Sequence, residues 1–343
     1  MATAAANPDF GEADTPGTCR ATPRDQRVTD KELIAFCWKK MTAKKRGRPD
    51  VMKKNGTAIA FISVLLWCFS GICFRKGALG LDVFVSLSLM TGAGFTTAMF
   101  VQVLRGESLR SPFRLPAKAM LAGFFGVTLY TLMLAYAFAI APASDVGQVN
   151  LLNYLWPVWI VLFSIILLKH KPRLPFLLAG IALGLIGVLV SRGLGNITHV
   201  PVSFLPHLLA VLGGMLWALY SVLLKYWNIP EENGGTSFHF GLCAIISALL
   251  AVWMGRWSSL PSPNAETVFW ILFGGIGPVG LAYYFWEIGV KKGNIRLIAS
   301  LAYFIPIGSS ALIGLVFREA LNSGLFLGGF LIAAGAILVQ RAD

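Results

Sequence analysis

The chain has 343 residues, of which 56% are hydrophobic and 13% charged, and its mean hydropathy is +0.69. Soluble globular domains carry about 25% charged residues, so this composition excludes a water-soluble fold and predicts a protein embedded in lipid. The formal net charge of +13 does not indicate nucleic-acid binding, because the basic residues lie in an N-terminal tail and in short loops. The lipid bilayer is therefore an expected partner, and nucleic acid is not.

The cysteines and histidines show no spacing typical of a metal or catalytic site. The five cysteines form no CxxC pair, the four histidines are scattered, and the chain contains no HExxH, GxSxG or phosphate-binding loop. The sequence therefore predicts no metal, no cofactor, no catalytic residue and no enzyme activity. Two other classes stay open: an intramembrane enzyme that pairs residues such as His239 and Glu287, and a scaffold or sensor that acts through the basic tail.

Residues 1–55 lack a long apolar run and are predicted to form a basic, largely disordered cytoplasmic tail. Apolar spans then recur, and a helix needs roughly 20 residues to cross a bilayer core of roughly 30 Å. The sequence therefore predicts an all-α polytopic membrane protein with ten transmembrane helices. They are expected near residues 56–74, 82–104, 118–140, 144–168, 175–191, 204–227, 236–254, 266–289, 295–317 and 323–340.

The connections between these spans differ in their content of Lys and Arg. With a cytoplasmic N-terminus, the cytoplasmic connections contain basic clusters such as residues 169–173 and 291–296, whereas the outer connections contain isolated cations such as Arg192 and Arg256. Short basic loops are retained on the cytoplasmic side. We therefore expect a multi-pass protein of the cell inner membrane with both termini in the cytoplasm.

Landmark residues recur in the second half of the chain in the same order, at offsets of about 149 residues. Each copy contains five spans, an odd number, so the second copy must enter the membrane from the opposite face. The sequence predicts two inverted five-helix repeats, residues 56–191 and 204–340, around a central cavity, an architecture typical of transporters. The matched residues are Trp67 with Trp217, Arg75 with Lys225, Pro157 with Pro306, Gly180 with Gly328 and Gly187 with Gly335.

The fourth span carries the clearest polar stripe. Asn150, Asn153, Tyr154 and Pro157 follow i, i+3, i+4, i+7 spacing, which places them on one face of a continuous helix. Buried amides are costly in lipid, so this face is expected to line the cavity, and Pro157 beside Trp156 loosens the backbone there. Interhelical hydrogen bonds that only hold helices together are the alternative.

Four other spans supply aromatic, hydroxyl and acidic candidates for the same cavity. For each tryptophan alone, an interfacial or core position is the alternative, and Glu287 could equally pair with Lys291 or Lys292. These candidates are Trp67 and Ser70 on the first span, Trp217, Tyr220 and Ser221 on the sixth, Tyr283, Trp286 and Glu287 on the eighth, and Tyr303, Pro306, Ser309 and Ser310 on the ninth.

Three segments carry a resemblance to a known family: VGQVNLLNYLWPVWIVLF at residues 146–163, AYYFWEIGVKKGN at 282–294 and SLAYFIPIGSSAL at 300–312. From about residue 56 to 340 the chain resembles the EamA-type carriers of the drug/metabolite transporter superfamily, and within them the YddG-type aromatic amino acid exporters. The resemblance implies ten helices packed like a basket around a central cavity. It also implies export of phenylalanine, tyrosine, tryptophan and other apolar amino acids or drugs.

The residues themselves favour a similar solute. The expected interior is rich in rings, amides and hydroxyls and contains no deeply embedded Lys or Arg, which phosphorylated substrates would require. We therefore expect a secondary transporter that exports aromatic or apolar amino acids by alternating access. A broad-specificity drug or small-metabolite efflux carrier is the alternative, and the sequence leaves a monomer and a homodimer both open.

Overall fold

The computed structural model describes residues 49–106, 108–169, 171–191, 203–229, 235–293, 298, 301–317 and 323–342, without the side chains of residues 49–55, 259, 287, 290 and 291. The chain divides into two compact units, Met1–Met52 and Lys53–Asp343. The first unit is described only as backbone from Pro49 onward, so the predicted tail lies almost wholly outside the described residues. Everything below concerns the second unit.

Every regular element in the described part of the chain is helical. The helices of the N-terminal half are α1 (Pro49–Trp67), α2 (Ser70–Gly80), α3 (Val83–Leu104), α4 (Ala117–Gly123), α5 (Tyr130–Ile140), α6 (Val146–Asn153), α7 (Trp156–Leu168) and α8 (Leu174–Ser191). Those of the C-terminal half are α9 (Phe204–Tyr226), α10 (Thr236–Trp253), α11 (Ala265–Gly274), α12 (Ala282–Lys292), α13 (Ile305–Phe317) and α14 (Ser323–Ala342).

A π-helical segment interrupts one span in each half. The first π segment, Phe124–Leu129, joins α4 to α5, and the second, Gly275–Leu281, joins α11 to α12. Pro278 lies inside the second segment and cannot donate a backbone hydrogen bond, which accounts for the wider turn there. Each pair of helices with its π segment forms one continuous membrane-crossing rod.

Nine helical stretches in the described part of the chain are long and apolar enough to cross a membrane. A shorter apolar helix, Ile305–Phe317, lies where the predicted ninth span ends, and the first part of that span falls largely outside the described residues. The chain is therefore a multi-pass, all-helical membrane protein. Large apolar side chains on the outside, such as Leu104, Ile166 and Trp253, are exposed as expected for helices that face lipid.

The predicted fourth span is not one continuous helix, and this corrects the expected stripe. A tight turn at Tyr154 and Leu155 separates α6 from α7, so Pro157 does not share a continuous helix face with the asparagines. Pro157 has no N–H to give to the Asn153 carbonyl, four residues earlier. That carbonyl instead lies against Gly214 of α9, where an added Cβ would be 2.9 Å from its oxygen.

Two pairs of helices make the most extensive contacts between the halves: α8 with α14, and α3 with α10. Glycines set the approach of α8 to α14. A Cβ on Gly180 would lie 2.6 Å from the carbonyl oxygen of Gly335, and one on Gly187 would lie 2.8 Å from that of Gly328. Residue numbers increase from 180 to 187 along α8 while those of the contacted residues decrease from 335 to 328 along α14, so these two helices are antiparallel.

Polar contacts also tie the helix ends together. Arg75 of α2 donates two hydrogen bonds of 2.7 Å to the carbonyls of Phe138 and Ala139, in the last turn of α5. These carbonyls lack helical partners, and a cation is favoured at a helix C-terminus. Lys76 forms a salt bridge of 2.8 Å with Glu266 of α11, which links the two halves at the same end of the bundle.

Candidate functional site

A group of aromatic rings in the interior joins helices from both halves of the chain. Each ring lies within about 5 to 6 Å of its neighbours, the separation at which aromatic pairs attract one another. We call this group the aromatic cluster. Its members are Trp67 of α1, Tyr130 of α5, Trp217 and Tyr220 of α9, and Tyr283 and Trp286 of α12.

Tyr283 stands at the middle of the aromatic cluster. Its ring centroid is 5.1 Å from that of Trp67 and 6.2 Å from that of Trp217, in edge-to-face geometry in both pairs. Trp67 also contacts Trp286 at 5.2 Å, and Trp217 contacts Tyr130 at 5.7 Å. The two tryptophans that the sequence comparison matched to each other therefore flank one tyrosine.

Asn150 and Asn153 of α6 are both buried and point into the protein. The Asn150 amide donates a 2.7 Å hydrogen bond to the hydroxyl of Ser309 on α13. The Asn153 amide approaches the hydroxyl of Tyr130 at 3.4 Å, which places it beside the aromatic cluster. Thus Asn150 holds two helices together, as the alternative interpretation predicted, whereas Asn153 reaches the cluster.

Several buried polar atoms around the cluster have no hydrogen-bond partner among the described residues. They include the indole N–H of Trp67, the amide oxygen of Asn153 and the hydroxyl of Ser63. Buried polar groups are nearly always satisfied, so unsatisfied ones mark a place for a ligand or water. An indole donor suits a carboxylate, and an amide oxygen suits an ammonium group.

The remaining predicted residues divide into those near the cluster and those turned elsewhere. Tyr154 packs with Trp67 and Trp286 on a small apolar group formed by Val64, Cys68 and Ile305. Trp156 and Pro157 begin α7, and a Cβ on Gly214 would lie 3.8 Å from the Trp156 Cβ. Ser70 begins α2 and is partly buried.

Four predicted residues have other roles or fall outside the description. Ser221 and Ser310 donate to carbonyls of their own helices, those of Trp217 and Pro306. Tyr303 donates to Gln340 of α14 at 3.2 Å. The Glu287 side chain lies outside the described residues, so neither its cavity position nor its ion pair is tested.

Two members of this site were missed in the sequence. Tyr130 contacts Trp217 and Asn153, and Phe240 of α10 contacts Tyr283 at 5.1 Å. A tyrosine in the middle of an apolar span is a signal that could have identified Tyr130. Phe240 carries no such signal, because phenylalanine is common throughout the apolar spans.

The surface grooves of the described residues do not include the aromatic cluster. Two grooves open on the surface, one of about 340 Å³ along Leu66, Phe273 and Leu281, and one of about 190 Å³ around Lys76 and Glu266. Neither is lined by a member of the aromatic cluster. Within the described ranges, no group of three or more His, Cys, Asp or Glu residues could hold a metal ion.

Comparison with known proteins gives consistent results. The profile of the EamA-like transporter family matches residues 54–193 and again residues 204–341. A protein of Ancylobacter novellus named aromatic amino acid exporter YddG is 30% identical over 288 residues, which cover 83% of this chain and 96% of that protein. Proteins of the same name from Salmonella typhimurium and Escherichia coli are 29% and 27% identical, each over 84% of this chain and 98% of their own length.

The fold also matches a solved structure. A chain described only as a protein crystal structure superposes with a TM-score of 0.62 at 27% sequence identity. The match covers 83% of this chain and 97% of the other. The part of the chain from about residue 54 onward therefore shares both its sequence pattern and its fold with these proteins.

Proposed function

The chain belongs to the EamA-like transporter family, and from this premise we propose that it exports aromatic and other apolar amino acids across the cell inner membrane. Three relatives that it matches over most of their length are named aromatic amino acid exporters. The observation that carries the proposal is the aromatic cluster, together with the indole N–H of Trp67 and the amide oxygen of Asn153, which have no hydrogen-bond partner among the described residues. The substrate is thus a zwitterion with an apolar side chain.

Each part of such a substrate has a counterpart in the site. The side chain packs between rings of the cluster, where each aromatic contact contributes about 0.5 to 1.5 kcal/mol beyond burial of its area. The carboxylate accepts a hydrogen bond from Trp67, and the ammonium donates to Asn153. Among the described residues of the cluster there is no cation or carboxylate, which disfavours phosphorylated or multiply charged solutes.

We infer that residues 56–191 and 204–340 are inverted five-helix repeats, giving ten membrane helices behind the cytoplasmic tail of residues 1–55. The contacts of α8 with α14 support this inference. Gly180 matches Gly328 in the repeat and Gly187 matches Gly335, yet Gly180 contacts Gly335 and Gly187 contacts Gly328. Such an exchange of partners is expected of a two-fold axis, and the antiparallel direction of the helices supports an axis in the membrane plane.

A second exchange of partners lies at the π segments. A methyl group on Gly123, just before the first π segment, would overlap the ring of His239 on α10. One on Gly274, just before the second, would lie 2.8 Å from the sulfur of Met90 on α3. Gly123 and Gly274 are 151 residues apart and Met90 and His239 are 149 apart, so both pairs obey the same repeat.

This symmetry supports transport by alternating access. If the halves exchange conformations, the site opens first to one side of the membrane and then to the other. The rings of the cluster touch one another here, so a substrate enters only when Tyr283 separates from one of its two tryptophan neighbours. The remaining candidates near α6 and α13, including Tyr154, Trp156, Pro157, Pro306 and Ser310, shape the wall of the opened cavity.

Flux of labelled phenylalanine in proteoliposomes tests the proposal. We expect Trp67→Phe and Asn153→Leu to raise the half-saturating concentration at least about tenfold each. Each variant removes one hydrogen bond to a charged group, which contributes about 1.5 to 3 kcal/mol, and about 1.4 kcal/mol corresponds to tenfold. Trp253→Phe is the matched control, because Trp253 is 82% exposed on the outer surface. Equal effects in all three variants, or no phenylalanine flux in the wild type, would overturn it.

The same assay separates the amino acid exporter from the broad efflux carrier. An exporter that binds the amino and carboxylate groups of its substrate is inhibited by tyrosine and tryptophan but not by cationic aromatic dyes. A broad carrier is inhibited by both. If dyes still inhibit the Asn153→Leu variant, the result would favour the broad carrier, because dye binding would then not depend on a hydrogen bond to the Asn153 amide.

A further inference from the structure

His239 is a buried titratable residue that the proposed substrate site does not use. It lies in the first turn of α10, is fully buried, and packs its ring on Gly123 and on Phe238. A histidine in an apolar environment is commonly only a packing residue. The repeat supplies a direct test of that interpretation, because Met90 occupies the equivalent place in the other half.

Packing alone does not require an imidazole at this place. Met90 packs on Gly274 just as His239 packs on Gly123, so an apolar side chain fills the equivalent space in the other half. The neighbouring residue differs in the same way. Thr128 of the first π segment contacts His239, while Val279 stands at the matching position of the second π segment. One half therefore carries a polar pair where the other carries an apolar pair.

The hydrogen bonds around the ring leave one nitrogen vacant. The Thr128 hydroxyl donates its proton to the backbone carbonyl of His239 at 3.0 Å. The same hydroxyl lies 3.4 Å from Nδ1. Nε2 is buried without a hydrogen-bond partner among the described residues, and a neutral imidazole carries a lone pair on one of its two nitrogens.

Among the described residues, the elements packed against α10 carry no countercharge for a protonated imidazole. The described titratable residues on the elements packed against α10 are Lys118 of α4, Tyr130 and Tyr136 of α5, Tyr283 of α12, Arg110 and Arg114 beside the short turn Ser111–Phe113, Arg256 at the other end of α10, and Cys243 of α10 itself. None of these residues is a carboxylate, and the Lys118 ammonium makes a cation–π contact with the ring of Trp227. The backbone carbonyl of Ala119 is the one uncharged acceptor that faces the imidazole from α4.

We propose that the imidazole of His239 is a proton-binding site, and that protonation separates α10 from the first π segment. A buried imidazolium without an anion is strongly disfavoured, so the packed contact accepts only the neutral ring. When the contact opens, water solvates the ring and a proton from the aqueous phase binds the lone pair of the neutral imidazole. When the contact closes, that proton returns to water. Low pH on the side that His239 faces therefore favours the opened contact.

Cys243 provides a reporter of this opening that needs no substrate. It lies one turn further along α10 and is fully buried, so alkylation of its thiol requires α10 to move. The experiment uses the full chain in nanodiscs with Cys19, Cys37, Cys68 and Cys73 replaced by alanine. The rate of N-ethylmaleimide reaction is measured with His239 present and in His239→Met, and the ratio of the two rates removes the thiol's own response to pH.

We expect this ratio to rise at least fivefold between about pH 8 and about pH 5.5, the range that brackets titration of a solvated imidazole. His239→Gln, which keeps a polar side chain but does not titrate in this range, is expected to follow His239→Met. It also replaces that variant if His239→Met does not fold. A ratio that stays constant with pH, or a Gln variant that responds like the wild type, would overturn the proposal.

A second arm, which rests on the proposed function, measures phenylalanine flux in proteoliposomes as pH is varied on each side separately. We expect the flux of the wild type to depend on pH on one side only, and this dependence to be lost in His239→Met. If no phenylalanine flux is found while the alkylation ratio rises as expected, the proposed substrate is wrong and the proton site stands. If the ratio is constant, the proton site is wrong whatever the flux.

Discussion

Asn150 donates a 2.7 Å hydrogen bond to the hydroxyl of Ser309, and this bond joins α6 of one half to α13 of the other. Both residues are at least nine-tenths buried, and Ser309 in turn donates to the Pro306 carbonyl at 3.3 Å. The bond lies beside breaks in both spans, since α7 begins just before Pro157 and α13 just before Pro306. Two matched breaks are therefore bridged by one polar contact.

Replacement of Ser309 by alanine is expected to lower the stability of the protein by about 1 to 2 kcal/mol, because the Asn150 amide is left buried without an acceptor. Ser310→Ala is the control, since Ser310 donates only to the Pro306 carbonyl within its own helix. The thermal unfolding midpoint in detergent measures both. Equal losses in the two variants would show that the bond between α6 and α13 contributes nothing of its own.

Tyr130 tests whether the aromatic cluster needs a hydroxyl as well as a ring. Tyr130→Phe keeps the contact with Trp217 but removes the partner of the Asn153 amide. We expect unchanged stability to within about 1 kcal/mol and a severalfold rise in the half-saturating phenylalanine concentration, because Asn153 loses its orientation. Tyr136→Phe, on the same helix and stacked on Phe84 instead, is the control. A similar change in both variants would contradict the assigned role.

Arg75 is expected to act through stability and not through transport specificity. Arg75→Met keeps an apolar stem but removes both hydrogen bonds to the end of α5, and charged hydrogen bonds of this kind contribute about 1.5 to 3 kcal/mol. The unfolding midpoint should therefore fall clearly, while the half-saturating concentration of the folded fraction stays the same. Arg256→Met is the control, because Arg256 is exposed and its ion pair with Asp82 is long, at 3.7 Å. A changed substrate preference in Arg75→Met would place this residue at the site.

Much of the fold follows from hydropathy because lipid imposes so simple a rule: an apolar run of sufficient length must cross as a helix. The breaks inside spans follow less directly. Pro157 indicates one break, but the turn at Tyr154 and the close approach of Gly214 depend on α9, which is distant in sequence. The family and the transporter class, which the resemblance implied, are confirmed.

The candidate site was harder to predict, because helical spacing gives a face but not the direction in which that face turns. Four aromatic residues meet in the interior: Trp67, Trp217, Tyr283 and Trp286. Tyr303 is a tyrosine like Tyr283, yet it turns toward Gln340. Asn150 and Asn153 are three residues apart, yet one binds a serine and the other reaches a tyrosine. These differences are set by neighbouring helices. Whether the assigned residues bind substrate stays a prediction.

The packing of α8 on α14 gives the sharpest test of the repeat symmetry. Gly180→Ala would place its methyl group 2.6 Å from the Gly335 carbonyl oxygen, so the helices must move apart. Overpacking of this kind costs about 1 to 3 kcal/mol, and a lower unfolding midpoint is expected. Gly184→Ala, one turn along the same helix, is the matched control, because its methyl group would make an ordinary 3.5 Å contact with Leu155.

The symmetry further requires Gly328→Ala, the counterpart of Gly180→Ala, to be similarly destabilising, since its methyl group would meet the Gly187 carbonyl at 2.5 Å. A tolerated Gly328→Ala beside a damaging Gly180→Ala would contradict the two-fold arrangement.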